Sequence, residues 1–237
     1  MPNENRRAQE HRGPLTPAAA ATGMNAAIRN AQRLAEDAAF LLEAKRYPTA
    51  AALAALSIEE SGKVSILRHL AGITDAKAIE QEWRRYRDHR SKNGAWIVPS
   101  LVRDGARRLH EFAETINRAA EHTAVLNSLK QIALYTDCFG NGHWSEPVEV
   151  IDAELAQSLV QTAVLLAPKR FITVREMELY VEIVSPARGT SDLPHALVRW
   201  ASAIYDEGLS DTPPEQYVKF IFGEGEGEWV FKPRQRH

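Results

Sequence analysis

The feature that most constrains the fold is the recurrence of apolar residues at three- and four-residue spacing over most of the 237-residue chain. This spacing places the apolar side chains on one face of an α-helix, and strand-like alternation is rare. The first helix is predicted from about Met24, and the second has Pro48 in its first turn and ends near Gly72. Because few residues separate them, the two helices are expected to form an antiparallel hairpin.

Further apolar stripes predict helices along the rest of the chain. A third helix is expected from about Asp75 to Arg90, followed by a break at Ser91–Gly94 and a fourth helix over Val98–Ala119. Shorter helical stripes follow at 125–133, 155–166 and 194–205. Residues 173–184 fit either a helix that starts with a capping box or a strand. The predicted fold class is all-α, an antiparallel helical bundle with an α-rich C-terminal extension.

Composition divides the chain into four segments. Residues 1–21 are polar, then rich in Ala and Pro, and are predicted to form a flexible N-terminal arm. Residues 22–167 carry the helical bundle, and residues 168–222 form the C-terminal helical extension. Residues 223–237 begin with alternating Gly and Glu, which is typical of a flexible tail.

The overall composition excludes several classes of protein. With 29 basic and 31 acidic residues the chain has a formal charge of −2, so it has no overall attraction to nucleic acid. The single cysteine, Cys138, excludes an internal disulfide framework. No stretch approaches the ~18 apolar residues of a membrane helix, and the N-terminus lacks the apolar core of a secretory signal. We therefore expect a cytoplasmic protein without a membrane partner.

Three kinds of catalytic site find little support in the sequence. No phosphate-binding loop of the P-loop type is present, and no Glu stands three residues before a His, as a di-iron bundle requires. A hydrolase built on Cys138 and His143 would need a third orienting group and an oxyanion hole. No cluster of carboxylates or histidines at ligand spacing predicts a metal, so we expect no cofactor.

A carboxylate within an apolar stripe is the strongest single sign of a site. At 100° per residue, Glu60 lies about 20° from Leu53, on a helix face that otherwise resembles core. A buried carboxylate without a partner costs several kcal/mol. We therefore expect Glu60 to be buried and bonded to a basic, Tyr or His partner from the regions of His89 or Tyr135. The alternative is a buried polar pair that only fixes the register of the bundle.

The candidate partner is a basic segment. From Trp83 to Arg108 eight basic residues stand against two acidic ones, which indicates a localised anion site or a solvated helix face. Histidine has an ordinary pKa of about 6.5, so it can take the proton of a ribose 2′-hydroxyl near neutral pH. Arginines can hold the scissile phosphate. This combination suits RNA cleavage, with His89 as the proton-transfer residue, Lys92 as a nearby second cation, and phosphate-binding candidates Arg84, Arg85 and Arg87.

Helix geometry limits which arginine can act with the histidine. Arg84 and His89 fit an R-x4-H pattern, but in an unbroken helix they point about 140° apart. Arg85 and His89 are only about 40° apart. Either the helix ends before His89, which frees the histidine to turn, or a different arginine is its partner.

Three motifs together resemble the AbiV abortive-infection family of the HEPN superfamily. In chain order they are Ile58-Glu59-Glu60-Ser61-Gly62-Lys63, Tyr86-Arg87-Asp88-His89-Arg90-Ser91-Lys92 and Leu134-Tyr135-Thr136-Asp137. The resemblance extends from about Met24 to Ala167. It implies a binding role for the residues, other than His89, that match the family pattern by position. These residues are Glu59, Glu60, Lys63, Lys92, Tyr135 and Asp137.

The resemblance implies a HEPN-like bundle, a homodimer and a toxin-like role in anti-phage defence. HEPN proteins are often metal-independent ribonucleases with an R-x4-6-H motif that opens a late bundle helix, whereas Arg84 and His89 close the third helix here. Two functional hypotheses follow. The first is a ribonuclease effector that binds RNA and shuts down translation. The second is a non-catalytic module that binds a phage, ribosomal or nucleotide partner. The resemblance is also compatible with a phage-encoded or antitoxin protein as a partner.

Overall fold

The structure, a computed structural model, describes residues 10–116, 121–140 and 142–223. Most of this part of the chain is α-helical, which confirms the predicted all-α fold class. The helices are α1 (Pro17–Glu43), α2 (Tyr47–Leu70), α3 (Ala76–Arg87), α4 (His89–Lys92), α5 (Val98–Arg103), α6 (Glu121–Leu134), α7 (Pro147–Val150), α8 (Ala153–Leu166), α9 (Val174–Ile183), α10 (Leu193–Asp206) and α11 (Pro214–Phe222). Short 3-10 segments lie at Gly94–Ile97, Leu109–Ile116 and Ser185–Ala187. Strands β1 (Asp137–Phe139) and β2 (His143–Ser145) pair antiparallel.

The predicted α1–α2 hairpin forms, and both hydrophobic cores of the protein pack on it. Helix α1 begins at Pro17, earlier than Met24, because Thr16 caps it by accepting a hydrogen bond of 3.1 Å from the Ala19 amide. The first turns contain buried alanines, whose small side chains give a weak apolar signal in the sequence. Part of the predicted arm is therefore helical, and residues 1–9 lie outside the described residues.

Two hydrophobic clusters lie at opposite ends of this hairpin. Core A joins the first half of α1 and the second half of α2 to α9 and α10, and includes Met24, Ile28, Leu70, Met177 and Ile204. Core B joins the other halves to α6 and α8, and includes Ala38, Ala54, Ile58, Leu126 and Leu159. Core A therefore contains residues of both the predicted bundle and the predicted extension. The junction between the cores falls near the middle of α2, just after Ile58.

Two of the predicted helices are interrupted. The third ends at Arg87 with a break at Asp88, and a second break at Asn93 lies within the predicted Ser91–Gly94. The prediction of one helix over Val98–Ala119 is wrong, because α5 ends at Arg103 and a 3-10 segment follows from Leu109. Gly105, between them, has a positive φ of 108°, a conformation that continues no right-handed helix.

The C-terminal extension is helical in its described part. Thr173 caps α9 by accepting a hydrogen bond of 3.0 Å from the Glu176 amide, so the helical alternative for residues 173–184 is confirmed. Helix α11 ends at Phe222, and the predicted tail after Gly223 lies outside the described residues.

Candidate functional site

The centre of the candidate site is Glu59, one residue from the predicted Glu60. Helix α2 packs against α1 on one side and against α6 and α8 on the other, and its first half is lined with buried alanines. Because these side chains are small, neighbouring helices approach on several sides and the buried arc of α2 is wide. Glu59 lies in this arc and is only 3% exposed.

Three cationic or titratable side chains surround the Glu59 carboxylate. Lys130 Nζ of α6 donates a hydrogen bond of 2.6 Å to Oε1, and His89 Nδ1 lies 2.8 Å from Oε2. Lys92 Nζ is 3.9 Å from the same Oε2. Both lysines are buried, so the carboxylate and its partners form a compensated buried charge cluster.

His89 connects this buried cluster to the surface. Its side chain is 55% exposed, although Nδ1 faces a carboxylate that is 4% exposed. A carboxylate has no proton to donate, so Nδ1 carries the hydrogen and donates it to Glu59. In the described part of the chain no hydrogen bond engages Nε2. The neutral ring therefore presents an unprotonated nitrogen away from Glu59.

A short capped helix holds His89 and Lys92 on one face. Asp88 has an extended backbone, and its carboxylate accepts hydrogen bonds of 2.8 Å from the Ser91 amide and 2.7 Å from the Ser91 hydroxyl. Burial raises the pKa of Asp88, but these hydrogen bonds and one from the Arg90 amide outweigh it and lower the pKa below its ordinary value. The cap turns the chain between α3 and α4, so His89 points to Glu59.

Gly62 allows α4 to approach α2 closely. A Cβ atom at this position would lie 2.1 Å from the Lys92 carbonyl oxygen, far inside van der Waals contact. The backbone of Lys92 therefore rests directly on the backbone of α2, three residues from Glu59. This contact explains why a glycine stands between the glutamates and the lysine of the first motif.

The 3-10 turn that follows α4 fixes α6 beside it. The buried Asn93 donates a hydrogen bond of 3.2 Å from Nδ2 to the Thr123 carbonyl, and Trp96 Nε1 donates one of 2.9 Å to the His122 carbonyl. Both acceptors lie in the first turn of α6. Lys130, two turns further along α6, is thereby placed against Glu59.

A family model for AbiV, of the HEPN type, matches residues 19–167. The chain belongs to the AbiV family of HEPN proteins. A search of the curated proteins and a search of the solved structures found no significant match. The three AbiV-like motifs all fall within the matched residues, and the first two of them meet at Glu59.

The predicted partner of Glu60 is wrong, although the Glu60 side chain is largely buried, with 18% exposed. Glu60 pairs with Lys63 of its own helix, at 2.5 Å, instead of with a residue from the His89 or Tyr135 regions. Lys63 Nζ also lies 5.3 Å from the centre of the Tyr86 ring. The carboxylate expected at the core of the AbiV site is therefore supplied by the preceding residue, Glu59.

The three candidate arginines lie on α3, and each makes contacts elsewhere in the chain. Arg84 pairs with Glu80 at 2.6 Å, and Arg85 donates to both oxygens of Glu82 at 2.8 Å. Arg87 pairs with Glu10 at 3.0 Å and donates to the His11 carbonyl. Because α3 ends at Arg87, the first geometric alternative, a helix end before His89, is confirmed. None of the hydrogen bonds among the described residues joins these arginines to His89.

The third AbiV motif lies at the other end of α6. Tyr135 is 60% exposed, and Asp137 begins β1. Together with three neighbours these residues line a cleft of about 350 Å³, formed by Gln131, Ile132, Tyr135, Thr136 and Asp137. Asp137 Oδ1 accepts a hydrogen bond of 2.7 Å from the Cys138 amide.

Lys130 is the site residue that the sequence analysis missed. The buried positions of α6 are Thr123, Leu126, Lys130 and Ala133, a helical stripe with three- and four-residue spacing. A cation in this stripe is the counterpart of a carboxylate in the stripe of α2. The large apolar residues Val125, Leu129 and Ile132 define another face of this helix, about 140° from Lys130, so helical periodicity in the sequence does not reveal Lys130.

The described residues were also searched for two other kinds of feature. No group of three or more His, Cys, Asp or Glu side chains in them is arranged to hold a metal ion. None of the helices in these ranges has both the length and the apolar character needed to cross a membrane.

Proposed function

We propose that this AbiV-family protein is a metal-independent endoribonuclease in which His89 transfers the proton. The observation that carries the proposal is the 2.8 Å hydrogen bond between His89 Nδ1 and the buried Glu59, on a side chain that is 55% exposed. Glu59 fixes the ring with its hydrogen on Nδ1. Nε2 is then the free base, and it faces the side from which RNA would approach.

In the proposed reaction, Nε2 of His89 removes the proton of a ribose 2′-hydroxyl, and the 2′-oxygen attacks the adjacent phosphorus. The bond between phosphorus and the 5′-oxygen of the next nucleotide breaks. The imidazolium then returns its proton to that leaving oxygen. The products are a 2′,3′-cyclic phosphate and a 5′-hydroxyl, and the atoms balance without a further reactant.

Lys92 is the side chain best placed to stabilise the phosphate. Burial lowers the pKa of Lys92, against the opposing effect of the Glu59 charge. Its ammonium group is 3.9 Å from Glu59, beyond hydrogen-bond distance, and no hydrogen bond within the described ranges engages it. A phosphate beside His89 would supply the missing acceptor, and it would gain charge in the transition state.

A second copy of the chain could complete the anion site. Within one chain the phosphate-binding role of Arg84, Arg85 and Arg87 stays a prediction, because each already pairs with a carboxylate. We propose a homodimer in which two basic segments meet and attract RNA. Membership of the AbiV family supports a role for this activity in abortive infection, in which RNA cleavage would stop translation.

The test is cleavage of labelled RNA by purified wild type, His89→Ala and the control His110→Ala, with and without EDTA. His110 is an exposed histidine on the 3-10 segment Leu109–Ile116. Loss of a general base predicts a rate about 10²- to 10⁴-fold lower for His89→Ala, with the control and the EDTA sample unchanged. The cut ends should carry 2′,3′-cyclic phosphates.

Two results would contradict the proposal. One is a folded His89→Ala protein that cuts RNA at the wild-type rate. The other is intact RNA together with halted translation, which would favour the non-catalytic binding module instead.

A further inference from the structure

The cleft at the end of α6 has no role in the proton transfer proposed above. Gln131 and Tyr135 stand one turn apart on the same face, and the helical spacing continues to Tyr135 because its amide donates a hydrogen bond of 2.9 Å to the Gln131 carbonyl. Ile132, Thr136 and Asp137 complete the lining of the cleft, which holds about 350 Å³. This volume lies within the usual range of small-ligand sites, about 300–1,000 Å³.

The lining of the cleft fits a nucleobase better than a phosphate. The Tyr135 ring is 60% exposed and offers a flat aromatic face. Gln131 has both a hydrogen-bond donor and an acceptor, and Thr136 has a hydroxyl that serves as either. No lysine or arginine is among the residues that line the cleft, and Asp137 would repel an anion. Aromatic stacking with polar contacts to the base edge is the common mode of recognition for single-stranded RNA.

The position of the cleft suits an RNA strand that also reaches His89. Lys130 Nζ, at the Glu59 cluster, lies 3.3 Å from His89 Nδ1. Tyr135 follows Lys130 by five residues, about 7.5 Å along the helix axis and about 140° around it. An RNA strand that reaches both His89 and the cleft therefore crosses the surface of α6, over an axial distance of about two nucleotide steps of ~3.4 Å.

We propose that this cleft binds one unpaired base of the RNA, with Tyr135 stacking on it and Asp137 and Gln131 contacting its edge. The inference rests on the proposed ribonuclease function, because RNA is its substrate. Asp137 makes guanine the favoured base. The Watson–Crick edge of guanine has two adjacent N–H donors that one carboxylate can accept together, whereas adenine and cytosine each offer a single amino group there.

Binding is measured by fluorescence anisotropy in a His89→Ala background, so that the RNA stays intact. The probes are labelled single-stranded oligoadenylates with and without one guanosine. Tyr135→Ala should weaken binding of the guanosine probe about 10-fold, since stacking is worth ~1–3 kcal/mol per base, and Tyr135→Phe should bind as the parent does. Asp137→Asn should remove the preference for guanosine. Trp144→Ala is the matched control, an aromatic residue that is 66% exposed and outside the cleft lining.

The same variants with His89 intact separate this inference from the proposed function. If Tyr135→Ala binds and cleaves RNA like the Trp144→Ala control, the base-binding inference is overturned while the ribonuclease stands. If RNA binding depends on Tyr135 and guanosine but the wild type does not cleave, the inference is supported and the ribonuclease proposal fails. Wild type that shows no preference between the two probes would overturn the assignment of guanine.

Discussion

Glu59 and Glu176 are both buried, but different partners neutralise them. Glu176, in α9, is fully buried and receives a two-pronged contact from Arg170, with Nη1 at 2.7 Å from Oε2 and Nη2 at 3.0 Å from Oε1. The guanidinium of the buried Arg68 lies close to two aromatic rings. Its Cζ is 5.9 Å from the centre of the Tyr180 ring and 5.7 Å from the centre of the Trp200 ring. Glu59 instead contacts two lysines and a histidine.

The difference separates a carboxylate suited to a structural role from one suited to chemistry. A guanidinium stays charged at every physiological pH, so the pair between Arg170 and Glu176 cannot change its protonation state. The hydrogen bonds to Glu176 raise the pKa of Arg170 further. The Glu59 cluster ends in an imidazole whose side chain is 55% exposed, and imidazole is the common general acid and base of enzymes. A buried carboxylate with a titratable partner at the surface is therefore the better candidate for chemistry.

The largest expected effect is on stability, for Glu176→Ala. This change leaves Arg170 and the buried Arg68 without their counter-ion, and breaking a buried pair costs about 3–5 kcal/mol in the free energy of unfolding. Urea unfolding measures the loss, and RNA cleavage per folded molecule should stay at the wild-type level. A loss below about 1 kcal/mol, or a loss of cleavage by the folded variant, would break the distinction between the two glutamates.

Glu82 combines the two kinds of partner found at Glu176 and Glu59, because it contacts both an arginine, Arg85, and a histidine, His69. Burial raises the pKa of Glu82, but the contacts with His69 and Arg85 outweigh it and lower the pKa to about 2, from an ordinary 4.5. The folded-state pKa is the lower one, so this stability is present above pH ~4.5 and is lost as the pH falls toward 2. The shift corresponds to about 3 kcal/mol.

Glu82→Gln should therefore lower stability at pH 7 by up to this amount and flatten the acid dependence of the unfolding free energy. Glu80→Gln on the same helix is the control, because its pair with Arg84 is exposed and contributes under about 1 kcal/mol. Equal pH profiles for the Glu82→Gln variant and the wild type would contradict the assignment.

Gly62→Ala tests whether close packing positions the Glu59 cluster. The added methyl group collides with the Lys92 carbonyl, so α4 must move, at a cost of about 1–3 kcal/mol. The movement also displaces His89, and cleavage should fall by more than the folded fraction explains. Gly23→Ala in α1 is the control, because its Cβ would only touch Leu67 at 3.4 Å. Full activity in a folded Gly62→Ala protein would show that α4 need not rest on α2.

The hairpin of α1 and α2 and the roles of His89 and Lys92 as site candidates could be predicted from the sequence. Apolar periodicity indicates a helix whatever its partners are, and the motif spacing indicates a site. The choice between Glu59 and Glu60 could not be made, because the angles around the helix axis were measured from the large side chain of Leu53. The surface of α2 that is buried deepest is lined with alanine, and it becomes visible only when the neighbouring helices are in place.

Two other features depend on contacts that local sequence patterns do not contain. Lys130 is separated from Glu59 by 71 residues, and only the packing of α6 on α2 brings them together. The break at Asp88 reflects competition between continuing α3 and capping α4, and the hydrogen bonds that Ser91 donates to Asp88 favour the cap. The arginines of α3 were expected beside His89, but they pair with carboxylates of the same helix or of the segment before α1.

The central claim is that Glu59 holds His89 with its hydrogen on Nδ1 and leaves Nε2 free. Long-range ¹H–¹⁵N correlation spectra of the ¹⁵N-labelled protein, recorded at a pH where the ring is neutral, report which ring nitrogen of His89 is protonated. The account predicts a protonated Nδ1 and a bare Nε2 in the wild type, with this preference reduced in Glu59→Ala. A wild-type His89 protonated on Nε2, with Nδ1 bare, would contradict it.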